Sequence, residues 1–173
     1  MEPAERERRH QARLVQMAKS LGIKDPPKID PLQWIYPEEV GTFRVPCLRA
    51  QGFQAWPSAD GRGYKTDMGS VSQQEAYNLA SYTCNAQYPL DPRADPSIWT
   101  RDQHTVVYQY LTDSLIPCLR RIGANPAEAP TLPVYLANPG TAWEYPDPGG
   151  RERMELWYGT CPIDPPTKVI LGE

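Results

Sequence analysis

The chain has 173 residues and 20 prolines, enough length for one sizeable core but more than twice the usual share of proline, which rules out long uninterrupted elements over much of its length. Its formal net charge is -3, and the basic residues gather at the start: six Lys/Arg face three acids in residues 1–24, leaving twelve against eighteen in the remainder. A predominantly acidic body lacks the basic stripe that neutralises phosphates, so nucleic acid is excluded as a partner, and no run approaches the ~20 apolar residues of a membrane-spanning helix.

Residues 1–24 predict a charged N-terminal helix whose second half alone has a face to bury, through Leu14, Met17/Ala18 and Leu21, before Gly22 and Asp25-Pro26-Pro27 end it. Pro37-Glu38-Glu39 then reads as a helix opening, with proline at a first-turn position and acids near the positive end of the helix dipole. Val40, Phe43, Cys47 and Leu48 line the face of that helix, and Gly52 is its expected stop. Phe53–Trp56 and Gly63–Thr66 flank Asp60-Gly61-Arg62-Gly63, which predicts a small hairpin.

Ser72-Gln73-Gln74-Glu75 matches a capping box and predicts a third helix running through Ala76, Leu79/Ala80 and Thr83/Cys84. A second box, Thr100 to Gln103, opens the clearest helix of the chain, with Val107, Leu111, Ser114/Leu115, Cys118 and Ile122 on one face up to Gly123. Beyond it, Pro126, Pro130, Pro133, Pro139, Pro146 and Pro148 leave room for a turn of helix at 131–137 and another at 151–158, and residues 162–173 are expected to be an extended tail. The fold class is therefore mainly α with a small β-hairpin and long Pro-rich loops, in one domain over residues 1–173.

Four cysteines, Cys47, Cys84, Cys118 and Cys161, lie 37, 34 and 43 residues apart, far from the C-x-x-C spacing of a zinc knuckle or a thioredoxin-type site. Structural disulfides in an oxidising compartment are the expectation, with an export signal removed ahead of Met1. An internal echo bears on their pairing. Val45-Pro46-Cys47-Leu48-Arg49 with Gly52 recurs as Ile116-Pro117-Cys118-Leu119-Arg120 with Gly123. Among three possible connectivities the echo favours Cys47–Cys84 and Cys118–Cys161, one in each of two halves, 36–88 and 100–161. Each closed loop would stabilise by ~4 kcal/mol in the chain-entropy view. Pro46 and Pro117 each delete a helical hydrogen bond, which predicts either a kink or a simple helix end.

Gly22-Ile23-Lys24-Asp25-Pro26-Pro27, Trp34-Ile35-Tyr36-Pro37-Glu38-Glu39, Cys47-Leu48 with Gly52-Phe53, Tyr82-Thr83-Cys84 and Leu115-Ile116-Pro117-Cys118-Leu119 together resemble the soluble part of secreted or lipid-anchored actinobacterial cell-envelope proteins of uncharacterised function, a paired-cysteine helical family. The resemblance spans most of residues 20–123 and weakens after 125. It implies an extracytoplasmic location, an upstream signal with or without a lipid-modified cysteine as the only link to a membrane, and no particular chemistry.

No phosphate loop, G-x-G-x-x-G, G-x-S-x-G or H-E-x-x-H is present, so no cofactor or metal is implied. His10 and His104 are expected at the surface. Asp60, Asp67, Asp91, Asp95 and Asp102 are carboxylates of the type a glycoside hydrolase pairs, but their places beside Pro and Gly favour turn and cap roles. Asp91 and Asp95 lack the alternating acids of a calcium loop. Most informative is the aromatic excess, five Trp and ten Tyr beside two Phe. Trp143, Tyr145, Trp157 and Tyr158 are the candidates for a partly exposed surface that binds a protein or glycan partner. The leading expectation is an exported, non-enzymatic binding module; the alternatives are a carboxylate-dependent hydrolase acting on envelope glycan and an accessory subunit of a membrane-attached assembly.

Overall fold

A computed structural model describes residues 1–67 and 70–173, and the chain divides into two compact units, Met1–Asp95 and Pro96–Glu173. Both are mainly helical. Each contains one disulfide, Cys47–Cys84 in the first and Cys118–Cys161 in the second, as the internal echo predicts.

The first unit begins with α1 (Pro3–Ser20), then α2 (Val40–Ala50), strands β1 (Gln54–Pro57) and β2 (Tyr64–Asp67), and α3 (Gln74–Gln87). Leu14 and Ala18 of α1 pack with Tyr82 and Ala86 of α3, so the apolar half-face read from the sequence is the one that is buried. A 3-10 turn at Pro37–Glu39 leads into α2, and the Tyr36 amide donates to Glu39 Oε2 at 2.8 Å, which satisfies one of the amides a helix start leaves open. Val45 and Leu48 of α2, Ala55 of β1, and Ala80 and Cys84 of α3 form a second apolar cluster.

The hairpin is antiparallel, with Gln54 opposite Asp67 and Pro57 opposite Tyr64, one residue further along than the sequence pattern places it. Its turn lies directly on the entry to α2. The Gly41 amide donates to Gly61 O at 2.8 Å, and a Cβ on Gly61, whose φ is +72°, would fall 2.7 Å from Glu38 O. Only glycine permits that backbone approach.

The Ser72 capping box does not form. The helix starts two residues later, at Gln74, behind a 3-10 turn over Val71–Gln73, and Ser72 Oγ lies 2.6 Å from Ser70 Oγ. The 3-10 turn satisfies the Gln73 amide through Ser70 O at 2.9 Å, which removes the need for a side-chain cap there.

A buried ionic cluster holds α1 to the rest of its unit. Asp91, 3% exposed, receives Arg93 Nη2 at 2.8 Å on Oδ2, Arg93 Nε at 3.1 Å on Oδ1, and Arg6 Nη1 of α1 at 3.4 Å. The Arg6 guanidinium carbon also sits 4.5 Å from the centre of the Trp34 ring, and His10 meets the same indole edge-on at 5.4 Å. His10 is not at the surface: it is 4% exposed, because the α1 face that carries Leu14 also carries it inward. Nor is Asp91 a calcium ligand, since two guanidinium groups fill its lone-pair directions. Burial pushes the Asp91 carboxyl up, but the hydrogen bonds and charges of Arg93, with the charge of Arg6, outweigh it and hold it below its ordinary 3.8. Burial pushes the His10 imidazole below its ordinary 6.5, with Arg13 and Arg44 acting in the same direction and Glu7 against.

Both shifts have one sign for stability. A group whose folded value is depressed contributes fully above its unfolded value and loses that contribution as pH falls through the folded one. Thermal melts are therefore expected to show the first unit weakening below pH 6.5 through His10 and again below 3.8 through Asp91. Asp91→Asn should lower its stability at pH 7 by about 2–3 kcal/mol and flatten the acid limb; an unchanged melt would mean that the cluster around Asp91 contributes nothing to holding α1 in place.

In the second unit, α4 (Arg101–Tyr110) starts with the predicted capping box: the Thr100 amide donates to Gln103 Oε1 at 2.8 Å and the Gln103 amide to Thr100 Oγ1 at 3.3 Å. The helix expected to reach Gly123 runs unbroken over 101–121 but changes hydrogen-bond register on the way. A π-turn over Leu111–Leu115 follows α4, with the Ile116 amide reaching back to Leu111 O, and α5 (Ile116–Arg121) completes the run. Pro117, which lacks the amide an α-helix needs at that point and whose ring crowds the preceding turn, stands just past that π-turn. In α2, by contrast, the α-helical register continues through Pro46.

The two copies of the echo end alike. Phe53 N donates to Leu48 O at 3.1 Å and Gly52 N to Arg49 O at 3.0 Å; Ala124 N donates to Leu119 O at 2.9 Å and Gly123 N to Arg120 O at 3.1 Å. With both glycines at positive φ, each is a Schellman C-cap, and Leu48 and Leu119 are both fully buried.

Short helices α6 (Leu132–Ala137) and α7 (Arg151–Thr160) fall where the prolines leave room. Residues 162–173 are not an extended tail: α8 (Thr167–Leu171) forms there and packs on α4. Pro166 precedes its first turn, Thr167 and Ile170 are 2% and 3% exposed on one face, and Gly172 closes it at φ +72°. Leu111, Leu115, Ile116, Leu119, Tyr135, Trp157 and Cys161 make the core of this unit.

Candidate functional site

A concave site of about 240 Å³ opens in the second unit. Its floor is the apolar face of α4 and the π-turn, Val107, Leu111 and Leu115, so the residues that form the core on one side line the cleft on the other. Three aromatic residues, Trp99, Tyr135 and Trp143, contribute to its walls. Pro96, His104, Pro139 and Gly140 also line it, as do Ile163 and Asp164, which lie just ahead of α8.

Local structure explains how these side chains are held. Trp99 ends the 3-10 turn that precedes the Thr100 capping box, and its ring meets His104 edge-on at 5.7 Å, one turn into α4. Tyr135 lies on α6 against Tyr108 at 5.3 Å, while Tyr108 Oη donates to Pro130 O at 2.8 Å and ties the Pro-rich loop to α4. Trp143 is fixed through its indole N–H, which donates to Ala127 O at 3.0 Å. The cleft is thus preorganised by hydrogen bonds to loop carbonyls, and the prolines that interrupt regular structure are also those that restrict its rim.

Of the four aromatics singled out by sequence, Trp143 lines the cleft. Trp157 is 8% exposed within the core of the unit. Tyr145 stands between them, its ring 6.3 Å from Trp143, 6.5 Å from Trp157 and 5.0 Å from the half-buried Tyr158. Its hydroxyl is buried without a hydrogen-bond partner, and burial, with Tyr158 and Tyr110 beside it, pushes the phenol up to about 12. The cluster is one wall of aromatic packing with Trp143 at its accessible end.

Trp99 and Tyr135 belong to the aromatic excess but have no link to Trp143 in the sequence; the signal available is their position beside prolines, Pro96 before Trp99, Pro133 before Tyr135 and Pro139 before Trp143. Asp164 carries no such signal. Its negative charge, after burial, helps to push the Tyr135 phenol upward.

The carboxylates that could serve a hydrolase by type do not share this cleft. Asp60 accepts from Ser58 Oγ at 2.6 Å and from the Arg62 amide at 3.1 Å and so shapes the hairpin turn, Asp91 is in the ionic cluster, and Asp102 lies in the first turn of α4. Asp164 is the one carboxylate among the described residues that line the cleft. No group of three or more His, Cys, Asp or Glu side chains arranged to hold a metal ion occurs among the described residues, and no described helix is long and apolar enough to cross a membrane. No known protein family, curated protein or solved structure matches the chain.

Proposed function

We propose that this protein is an exported cell-envelope module that binds a protein or glycan partner without transforming it, through the aromatic cleft of its second unit. Two disulfides, with no free cysteine among the described residues, suit an oxidising compartment outside the cytoplasm. The observation that carries the binding reading is the lining of the cleft, where Trp99, Tyr135 and Trp143 surround an apolar floor and Asp164 supplies the single carboxylate of the described lining. Glycoside hydrolysis by the usual route needs two carboxylates across the scissile bond, whereas recognition needs an apolar surface with a few placed polar groups.

Size narrows what enters. About 240 Å³ exceeds the ~150 Å³ that holds a benzene ring but falls short of the ~300–1,000 Å³ of a whole-ligand pocket. One projecting group of a larger partner fits, with the remainder lying outside on the rim.

Titration of the full chain with soluble N-acetylhexosamine oligosaccharides and with a panel of synthetic peptides, followed by indole fluorescence, tests the reading. A saturable signal is expected for one panel, and Trp143→Ala should weaken it roughly 10- to 30-fold, the loss typical of an anchoring aromatic, while Tm of the second unit falls by only about 4–8 °C. New reducing ends or cleaved peptide, or a signal indifferent to Trp143→Ala, would sink the proposal.

A further inference from the structure

The two halves of α1 are held in different ways. Its buried residues are His10, Leu14 and Ala18. Leu14 and Ala18 pack with Tyr82 and Ala86 of α3, and the Asn78 side-chain amide donates to Leu21 O at 2.9 Å just past the helix end, so apolar contact and an uncharged hydrogen bond fix the second half. The first half is held by His10, edge-on to Trp34, and by Arg6, which reaches both Trp34 and Asp91. We infer that this division makes the first half of α1 an acid-sensitive latch: a proton taken up by His10 shifts residues 3–13 from docked on Trp34 toward released, while Leu14 and Ala18 keep the second half in place.

The surroundings of His10 suit the neutral imidazole and not the cation. Its Nε2 is buried with no hydrogen-bond partner among the described residues. In the imidazolium both ring nitrogens are donors, so that atom would become a charged N–H with nothing to receive it. The charged groups around the ring are Glu7 and Arg13 on α1 itself, Arg44 from α2, and Arg6 over the shared Trp34 ring, joined through its ion pair to Asp91 and Arg93. Arg44 donates Nε and Nη2 to Tyr88 O at 3.0 and 2.8 Å, a partner that adds no negative charge. Asp91 already receives both Arg93 and Arg6. Glu7 attracts an imidazolium, but it rides on the same helix and leaves with His10, so its attraction does not favour the docked state. Trp34 attracts cations through its ring face, but the Arg6 guanidinium carbon already lies 4.5 Å from its centre, and a second cation there would repel the first.

A released His10 takes up its proton at the ordinary 6.5, whereas burial, with Arg13 and Arg44 and against Glu7, holds the docked imidazole below that value. Between about pH 7.5 and 5.5 the released state therefore gains up to about 10-fold over the docked one. Asp91 keeps its charge over this interval, its carboxyl lying below 3.8, so the Arg6 ion pair is a second catch that yields only at lower pH. His104 belongs to the second unit, which leaves His10 as the histidine of the first.

The test is amide hydrogen exchange on the full ¹⁵N-labelled chain at about pH 7.5 and 5.5, each rate divided by the intrinsic rate at that pH. Protection of the amides of residues 8–13 is expected to fall about 10-fold on acidification, with that of residues 18–20 and of α3 unchanged within about twofold. His10→Phe keeps an aromatic edge against Trp34 and cannot take up a proton, so it should abolish the pH dependence. Should that variant not fold, the wild-type chain decides: the ring carbon signal of His10, the indole N–H signal of Trp34 and the exchange of residues 8–13 must change with one midpoint. Unaltered protection at the lower pH, a loss spread evenly over α1 and α3, the same loss in His10→Phe, or midpoints that differ would each overturn the latch.

Discussion

Replacing Cys118 and Cys161 together by Ala is expected to lower the stability of the second unit by about 4 kcal/mol. The disulfide closes a separation of 43 residues, running from α5 to the end of α7. Without it, the Pro-rich segment between those helices regains its freedom in the unfolded state, and that segment has only short helices of its own with which to oppose the entropy. For a unit of this size a loss of ~4 kcal/mol corresponds to a fall in Tm of roughly 15–30 °C. Calorimetry at equal pH with and without reductant, alongside the double variant, checks it. Cys47→Ala with Cys84→Ala should act on the first unit by a similar amount, since its separation is 37 residues. A transition unaltered in both double variants would show that packing, not the disulfides, supplies the stability.

Trp157→Ala is expected to cost about 3–5 kcal/mol and to unfold the second unit at or near ambient temperature. The indole is 8% exposed, packed in the cluster that contains Leu111, Leu115, Leu119 and Cys161, and truncating it leaves a cavity the size of a bicyclic ring among helices too short to close around it. Trp143→Ala is expected to cost about 1 kcal/mol, the value of its hydrogen bond to Ala127 O and part of its ring contact with Tyr145, because that side chain already meets solvent in the cleft. Chemical denaturation of the two variants side by side separates the roles. Comparable losses would mean that Trp143 too is structural and that the cleft has no independent recognition surface.

The contrast between these two tryptophans shows where reading from residues alone stops. Trp143 sits in a Pro- and Gly-rich stretch and Trp157 in a short expected helix beyond it, but both carry an amphipathic ring suited either to a core or to a surface. Burial depends on what the helix of Trp157 meets, and that is α5 and the π-turn, about forty residues earlier in the chain. His10 illustrates the same limit: its helix has a visible apolar face from Leu14 onward, but the Trp34 indole that covers its first half lies beyond three prolines and outside any periodic pattern. Asp164 and Trp99, just ahead of α8 and α4, line one cleft where those two helices pack together, and α8 itself, five residues long, is too brief for periodicity to register.

What the sequence by itself determined is the local and the repeated: the apolar half-face of α1, the Thr100 capping box, the Gly52 and Gly123 helix ends, the hairpin around Gly61, and, through the echo of Pro-Cys-Leu-Arg, the pairing Cys47–Cys84 and Cys118–Cys161. These depend on φ preferences, amide satisfaction and short-range periodicity, forces that act over a few residues and leave their marks in order along the chain. Tertiary structure alone decided that Trp157 is core and Trp143 is cleft, that Asp91 is neutralised by two arginines, and that Trp99, Tyr135 and Asp164 face a common space. Those outcomes follow from which surfaces exclude water together, a property of packing between segments distant in sequence.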